Sequence, residues 1–218
     1  MNAKMLTLAT VSVAALAASS MGAAAATAAA SADLNLRAGP GPEFRILSVI
    51  RNGEAVTVDG CLATQEWCEV QTASGSGWAY APYLMFDEAG EQKPLAQVTS
   101  QTVTVIEDTS PRDEATLIAG GIGAVAGALI AGPIGAIAGG MATGIAANAS
   151  VDPEVEVYVR NNPVQPVFLS GEAVVGAQVP TDVTIYEVPD NQNVAYLNIN
   201  GDTVLVDRSD MRVIGVVR

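Results

Sequence analysis

Between Glu114 and Asp152 the chain carries no charge at all. Small residues recur there every fourth position: Ala119, Gly123, Gly127, Ala131, Gly135 and Gly139. A second row, Gly120, Ala124, Ala128, Gly132, Ala136, Gly140 and Gly144, runs beside it. On a helix both rows share one face, and such a face lets a second helix approach closely. Each glycine costs about 0.8–1 kcal/mol relative to alanine in a water-exposed helix, so a segment that keeps so many needs close packing to compensate. Pro133 interrupts the run. The pattern predicts two helices, over 112–131 and 134–148, folded as a hairpin within 111–150. Ser110 caps the first, Pro111 takes its first position and Asp113 supplies a capping-box acid. The packing face is Gly123, Gly127, Ala131, Gly135 and Gly139. At 1.5 Å per residue each helix spans roughly 22–30 Å, just short of or equal to a hydrocarbon core of about 30 Å. Two readings stay open. In one, residues 115–148 enter a membrane or join copies of the chain into a homo-oligomer. In the other, the hairpin packs on its own domains in water.

The first thirty residues have the layout of a secretory signal peptide. Lys4 is their only charge, Leu6 to Ala18 is apolar, and Ser19 to Ala30 is built of small residues. The apolar run is shorter than the about 20 residues a membrane span needs. Small-x-small patterns place cleavage near 26–30, after Ala26 or after Ala30, and the spacing does not choose between them. The chain is therefore expected to be exported, to the periplasm or another part of the cell envelope. No cysteine follows the signal closely enough to take a lipid anchor. The net charge of −13 repels phosphate backbones and excludes nucleic acid as a partner, while keeping the chain soluble.

Residues 31–86 read as a small β domain. Apolar runs at Leu34–Leu36, Phe44–Ile50, Ala55–Val58, Trp67–Val70 and Trp78–Tyr80 are separated by turn signals at 39–42, Asn52-Gly53, Asp59-Gly60 and 74–77. A domain of this size is marginal on its own. Cys61 and Cys68, an even pair in an exported chain, point to a disulfide that stabilises by about 2–3 kcal/mol on the chain-entropy estimate. Two thiols at this spacing are too few for zinc. The domain resembles the bacterial SH3 family through Leu34-Asn35-Leu36-Arg37, Gly39-Pro40-Gly41, Ile46, Val49, Gly53, Trp67-Cys68-Glu69-Val70, Gly77-Trp78-Ala79 and Pro82-Tyr83-Leu84. That resemblance implies an SH3-like small β-barrel, a paired disulfide as in envelope members of the family, and binding of cell-wall peptide. Trp67, Trp78, Tyr80 and Tyr83 are the aromatic candidates for a ligand groove. Arg37 joins them as the candidate partner of a ligand carboxylate, beside its plainer role of fixing the first loop with Asn35.

Residues 87–110 read as a linker, although Val98 to Ile106 alternates as a strand added to a neighbour would. Residues 151–218 are β-rich. Glu154 to Val159 and Val183 to Val188 alternate, and Val194–Ile199 and Thr203–Val206 flank Asn200-Gly201, the signal for a type I′ hairpin. Arg212–Val217 is a last strand. Through Gly176, Val179-Pro180, Val183–Tyr186, Val188-Pro189, Ala195-Tyr196, Asn200-Gly201, Val204–Asp207 and Arg212–Ile214 this region resembles a C-terminal domain of unknown function found in rhizobial-type envelope proteins. The fold class expected is mainly β with a helical insert.

Nothing in the sequence marks a catalytic residue. The chain has no histidine, which removes the usual acid–base and serine-triad chemistry. Its two cysteines are expected to be bonded. The glycine-rich run lacks the Gly-Lys-Ser/Thr ending of a phosphate loop. Neither cofactor nor metal is implied. The expectation is a non-catalytic envelope protein that binds peptidoglycan or an envelope protein through the SH3-like domain. The alternative is a structural protein assembled or attached to a membrane by residues 115–148, a segment whose spacing and composition resemble the glycine-zipper segments of bacterial outer-membrane proteins and lipoproteins.

Overall fold

The computed structural model describes residues 25–98, 103–113, 116–118, 152–189 and 191–218. These residues form a mainly β protein with two sheets and one short α-helix. The N-terminal sheet contains β1 (Ala26–Ala30), β2 (Leu34–Arg37), β3 (Ile46–Ile50), β4 (Ala55–Cys61), β5 (Trp67–Thr72), β6 (Gly75–Tyr80), β7 (Leu84–Glu88) and β8 (Glu91–Pro94). Its order is β3-β2-β6-β5-β4-β1-β7-β8, and every neighbour is antiparallel. After it come α1 (Pro153–Asn161), β9 (Pro166–Val167), β10 (Tyr186–Val188), β11 (Asn191–Ile199), β12 (Asp202–Asp207) and β13 (Arg212–Val217). The second sheet runs β10-β11-β12-β13, with β9 lying parallel to β11.

Strand β4 shows why these segments become strands. Its Val56, Val58 and Gly60 are buried while Ala55, Thr57 and Asp59 are not, the period-two pattern of a half-buried strand. A bulge at Asp59 shifts the register, so that Cys61 lies directly opposite Cys68 and the two are disulfide-bonded. Only glycine fits at position 60. A Cβ there would lie 2.6 Å from Ile106 Cγ2 and 2.9 Å from the Thr104 carbonyl. The crowding arises because residues 103–106 run parallel beside this strand. The Cys61 N–H donates to Thr104 O at 2.8 Å, and the Ile106 N–H donates to Cys61 O at 3.0 Å. Reducing the disulfide, or replacing both cysteines by serine, is expected to cost about 2–3 kcal/mol. A lowered urea midpoint in dithiothreitol would register the loss.

Four segments differ from the sequence expectation. The segment read as a linker, 87–110, completes β7 and turns through Ala89 and Gly90 into β8. Both turn residues have positive φ, as a tight hairpin requires. Val105 then bridges Cys61. Glu154–Val159, read as alternating, belongs to α1. The Asp152 side chain accepts from the Glu154 N–H, Pro153 takes the first turn and Arg160 pairs with Glu156 one turn earlier. Val155 and Val159 are buried and Val157 is exposed, the spacing of a helix face. No helix begins over 111–113 and 116–118. The Asp113 carboxylate caps a turn at Thr116, and Leu117 then bridges Phe44 across the β2–β3 connection. The remainder of the expected hairpin, with its packing residues Gly123, Gly127, Ala131, Gly135 and Gly139, lies outside the described residues. Among the described residues no helix is long and apolar enough to cross a membrane. Finally, the sheet starts at Ala26, within the stretch assigned to the signal; residues 1–24 lie outside the described residues.

The two sheets do not stand as separate beads. One continuous core joins Leu34, Leu36, Val56, Tyr83 and Phe86 to Leu169, Val174, Leu197, Ile199 and Val204. A smaller cluster seats α1, through Val155 and Val159, on Tyr196 and Leu205.

Candidate functional site

Strand β2 is buried on both faces. Alternation sends Leu34 and Leu36 to one side and Asn35 and Arg37 to the other. The second pair meets the C-terminal region. The Arg37 guanidinium, fully buried, grips Glu172 with a two-pronged contact: Nε to Oε2 at 3.0 Å and Nη2 to Oε1 at 2.9 Å. Such a fork matches the planar geometry of a carboxylate. Its Nη1 donates to three carbonyls, those of Pro42 at 3.0 Å, Phe44 at 2.8 Å and Asn200 at 3.1 Å. Asn35 Nδ2 donates to Glu172 Oε1 and to Asp202 Oδ2, each at 2.7 Å. Asn35 Oδ1 is buried and has no hydrogen-bond partner among the described residues. At the rim, Arg218 Nη2 lies 3.8 Å from Asp202 Oδ2.

The acidic half of this cluster is positioned by the β11–β12 hairpin and by the loop between β9 and β10. Asn200 and Gly201 both have positive φ, the type I′ turn that Asn-Gly favours. The Asn200 side chain is buried and holds the neighbouring loop: its Oδ1 accepts from the Leu169 N–H at 2.8 Å, and its Nδ2 donates to Leu169 O at 3.0 Å and Gly171 O at 3.1 Å. That loop carries Glu172 to Arg37.

Burial holds the Asp202 carboxyl above the ordinary carboxylate range, and Glu172 adds to the rise. The Asn35 hydrogen bond, Arg218 and Arg37 oppose it. The folded state therefore binds this proton more tightly than the unfolded chain. The associated stability is present below the ordinary carboxylate value and is lost as pH rises through the elevated one. Asp202→Asn is expected to flatten that part of the profile. Urea titrations of both proteins across the acid range should show the parent losing stability relative to the variant as pH rises.

The aromatic candidates lie close by. Trp67 and Tyr80 make an edge contact at 5.4 Å between ring centres, and Tyr80 and Tyr83 a tilted one at 6.0 Å. Trp67, Trp78 and Tyr83 are buried, and Tyr80 is half-buried. Burial raises both phenols; the charge of Glu172 adds to each, after Glu66 for Tyr80 and after Tyr80 for Tyr83. Of the five residues expected to edge a groove, Trp67, Tyr80 and Tyr83 form one ring cluster, Trp78 pairs with Arg37 in the sheet, and all but Tyr80 are buried. The carboxylate that Arg37 holds is the chain's own. Glu172 and Asp202 carry no mark in the sequence beyond being acids in apolar surroundings, Leu169 to Val174 and Ile199 to Val206. Among the described residues no group of three or more Asp, Glu or Cys is placed to hold a metal ion.

Two family models match the chain. Residues 32–85 match the bacterial SH3 domain, and residues 158–218 match a domain of unknown function (DUF1236). No curated protein and no solved structure matches the chain.

Proposed function

We propose that this chain, with a bacterial SH3 domain at 32–85 and a C-terminal domain of unknown function at 158–218, is a non-catalytic binding or scaffold protein of the cell envelope. The SH3 match carries the reading, since bacterial SH3 domains are often cell-wall binding modules. The ligand is peptidoglycan or an envelope protein. The disulfide between Cys61 and Cys68 is consistent with an extracytoplasmic location, and a signal peptide ahead of the sheet would deliver the chain there. With Arg37 engaged by Glu172 and three of the four aromatic candidates buried, the ligand surface falls on the solvent side of the SH3 sheet.

Co-sedimentation with purified peptidoglycan sacculi tests this. The protein is used whole and as a variant in which residues 119–150 are replaced by a Gly-Ser linker of equal length. Both are expected to pellet with the sacculi. Binding by neither would end the wall-binding reading. It would favour assembly through the small-residue face, which Gly127→Leu with Gly135→Leu should then abolish.

A further inference from the structure

Of the two cleavage positions that the alanine-rich N-terminus offers, the fold is compatible with one. Strand β1 is an inner strand. Thr27, Ala28 and Ala29 pair with Thr57, Val56 and Ala55 of β4 on one side. Ala28, Ala29 and Ala30 pair with Phe86, Met85 and Leu84 of β7 on the other. Among the described residues β1 is the one strand that joins β4 to β7 and β8 in the sheet. The Ala30 N–H also donates to Glu54 O at 3.0 Å, and its carbonyl accepts from the Gly53 N–H at 2.7 Å. Ala28 and Ala30 are each 3% exposed, whereas Thr27 faces solvent.

Cleavage after Ala30 would remove all of this. It would leave β4 and β7 with unpaired inner edges and their buried backbone groups unsatisfied. Cleavage after Ala26 would remove one pairing, Ala26 with Val58, and place the new charged amino group on exposed Thr27. Alanine is a weak strand former, yet it meets the small-residue demand of signal cleavage. One stretch can therefore provide both a cutting site and a strand, provided the cut falls at its beginning.

We infer that the exported chain is cut at or before the Ala26–Thr27 bond, and that Thr27–Ala30 remain in the mature protein as an inner strand of the SH3-domain sheet. This rests on the export reading above. The full-length gene product is expressed in a bacterium, recovered from the envelope fraction and read by intact mass and N-terminal sequencing. The expected N-terminus is Thr27 or an earlier residue beyond the apolar run. An N-terminus at Ala28 or later on folded protein would overturn the inference. A chain still beginning at Met1 would overturn the export reading, and the inference with it. Purified chains starting at Thr27 and at Ser31 provide a second readout. The shorter is expected to melt on the order of 10 °C lower or to lose its cooperative transition. Identical melting would show that β1 is dispensable and remove the ground for the inference.

Discussion

Glu172→Ala is expected to destabilise the protein by about 3–5 kcal/mol, the range for breaking one partner out of a buried ion pair. The variant leaves the Arg37 guanidinium fully buried, with Nε and Nη2 deprived of their acceptors and only carbonyl contacts at Nη1. Asn35 loses one of its two acceptors at the same time. Urea denaturation followed by tryptophan fluorescence reads the loss directly, because Trp67 and Trp78 both lie in the SH3 domain. A shift of under 1 kcal/mol would mean that the contact does not hold the two domains together. The double variant Arg37→Met with Glu172→Leu separates charge from packing. Apolar replacement of a buried pair is often neutral or stabilising, so the double variant is expected to recover most of what the single variant loses.

Asn200→Ala should cost about 3 kcal/mol through a different mechanism. It removes one buried acceptor and one buried double donor, and strands the Leu169 N–H and the Leu169 and Gly171 carbonyls. Leaving such groups unpaired costs about 1–3 kcal/mol apiece before relaxation. Asn200 also has φ of 55°, a conformation that asparagine tolerates better than most side chains. Asn200→Gly makes the same hydrogen-bond deletion with no backbone strain. It should therefore sit about 1 kcal/mol above Asn200→Ala in thermal or urea unfolding. Equal stabilities would assign the whole loss to the side-chain contacts.

Local signals carried far along this chain. Asn200-Gly201 between β-prone runs becomes the β11–β12 turn, and Arg212–Val217 is β13 at the bounds expected. The five apolar runs of residues 34–80 each fall on or overlap a strand of the SH3 sheet. Misreadings occurred where two patterns share one sequence. Val155, Val157 and Val159 alternate like a strand, but Asp152-Pro153 caps a helix, and the cap together with two apolar contacts four residues apart prevailed. Ala26–Ala30 fits a cleavage region and has low strand propensity. Its place between β4 and β7 comes from tertiary pairing that local propensity does not express. The site was legible only in part. Asn35, Arg37 and the aromatics stood out through the SH3 resemblance. Glu172 lies 135 residues from Arg37, and no local pattern encodes a contact of that range.

That distance also sets an order of assembly. Synthesis proceeds from the N-terminus, so the residues of β2 are available long before Glu172. Until the last third of the chain follows, Arg37 has no carboxylate to hold, and the face of the SH3 sheet that meets Leu169, Val174 and Leu197 remains open. The contacts that complete the core are non-local, and such contacts form slowly because loop closure precedes their reward. The disulfide spans only seven residues and can close while this waiting state lasts. The N-terminal domain can thus be stapled before the C-terminal domain supplies Glu172 and the rest of the shared core.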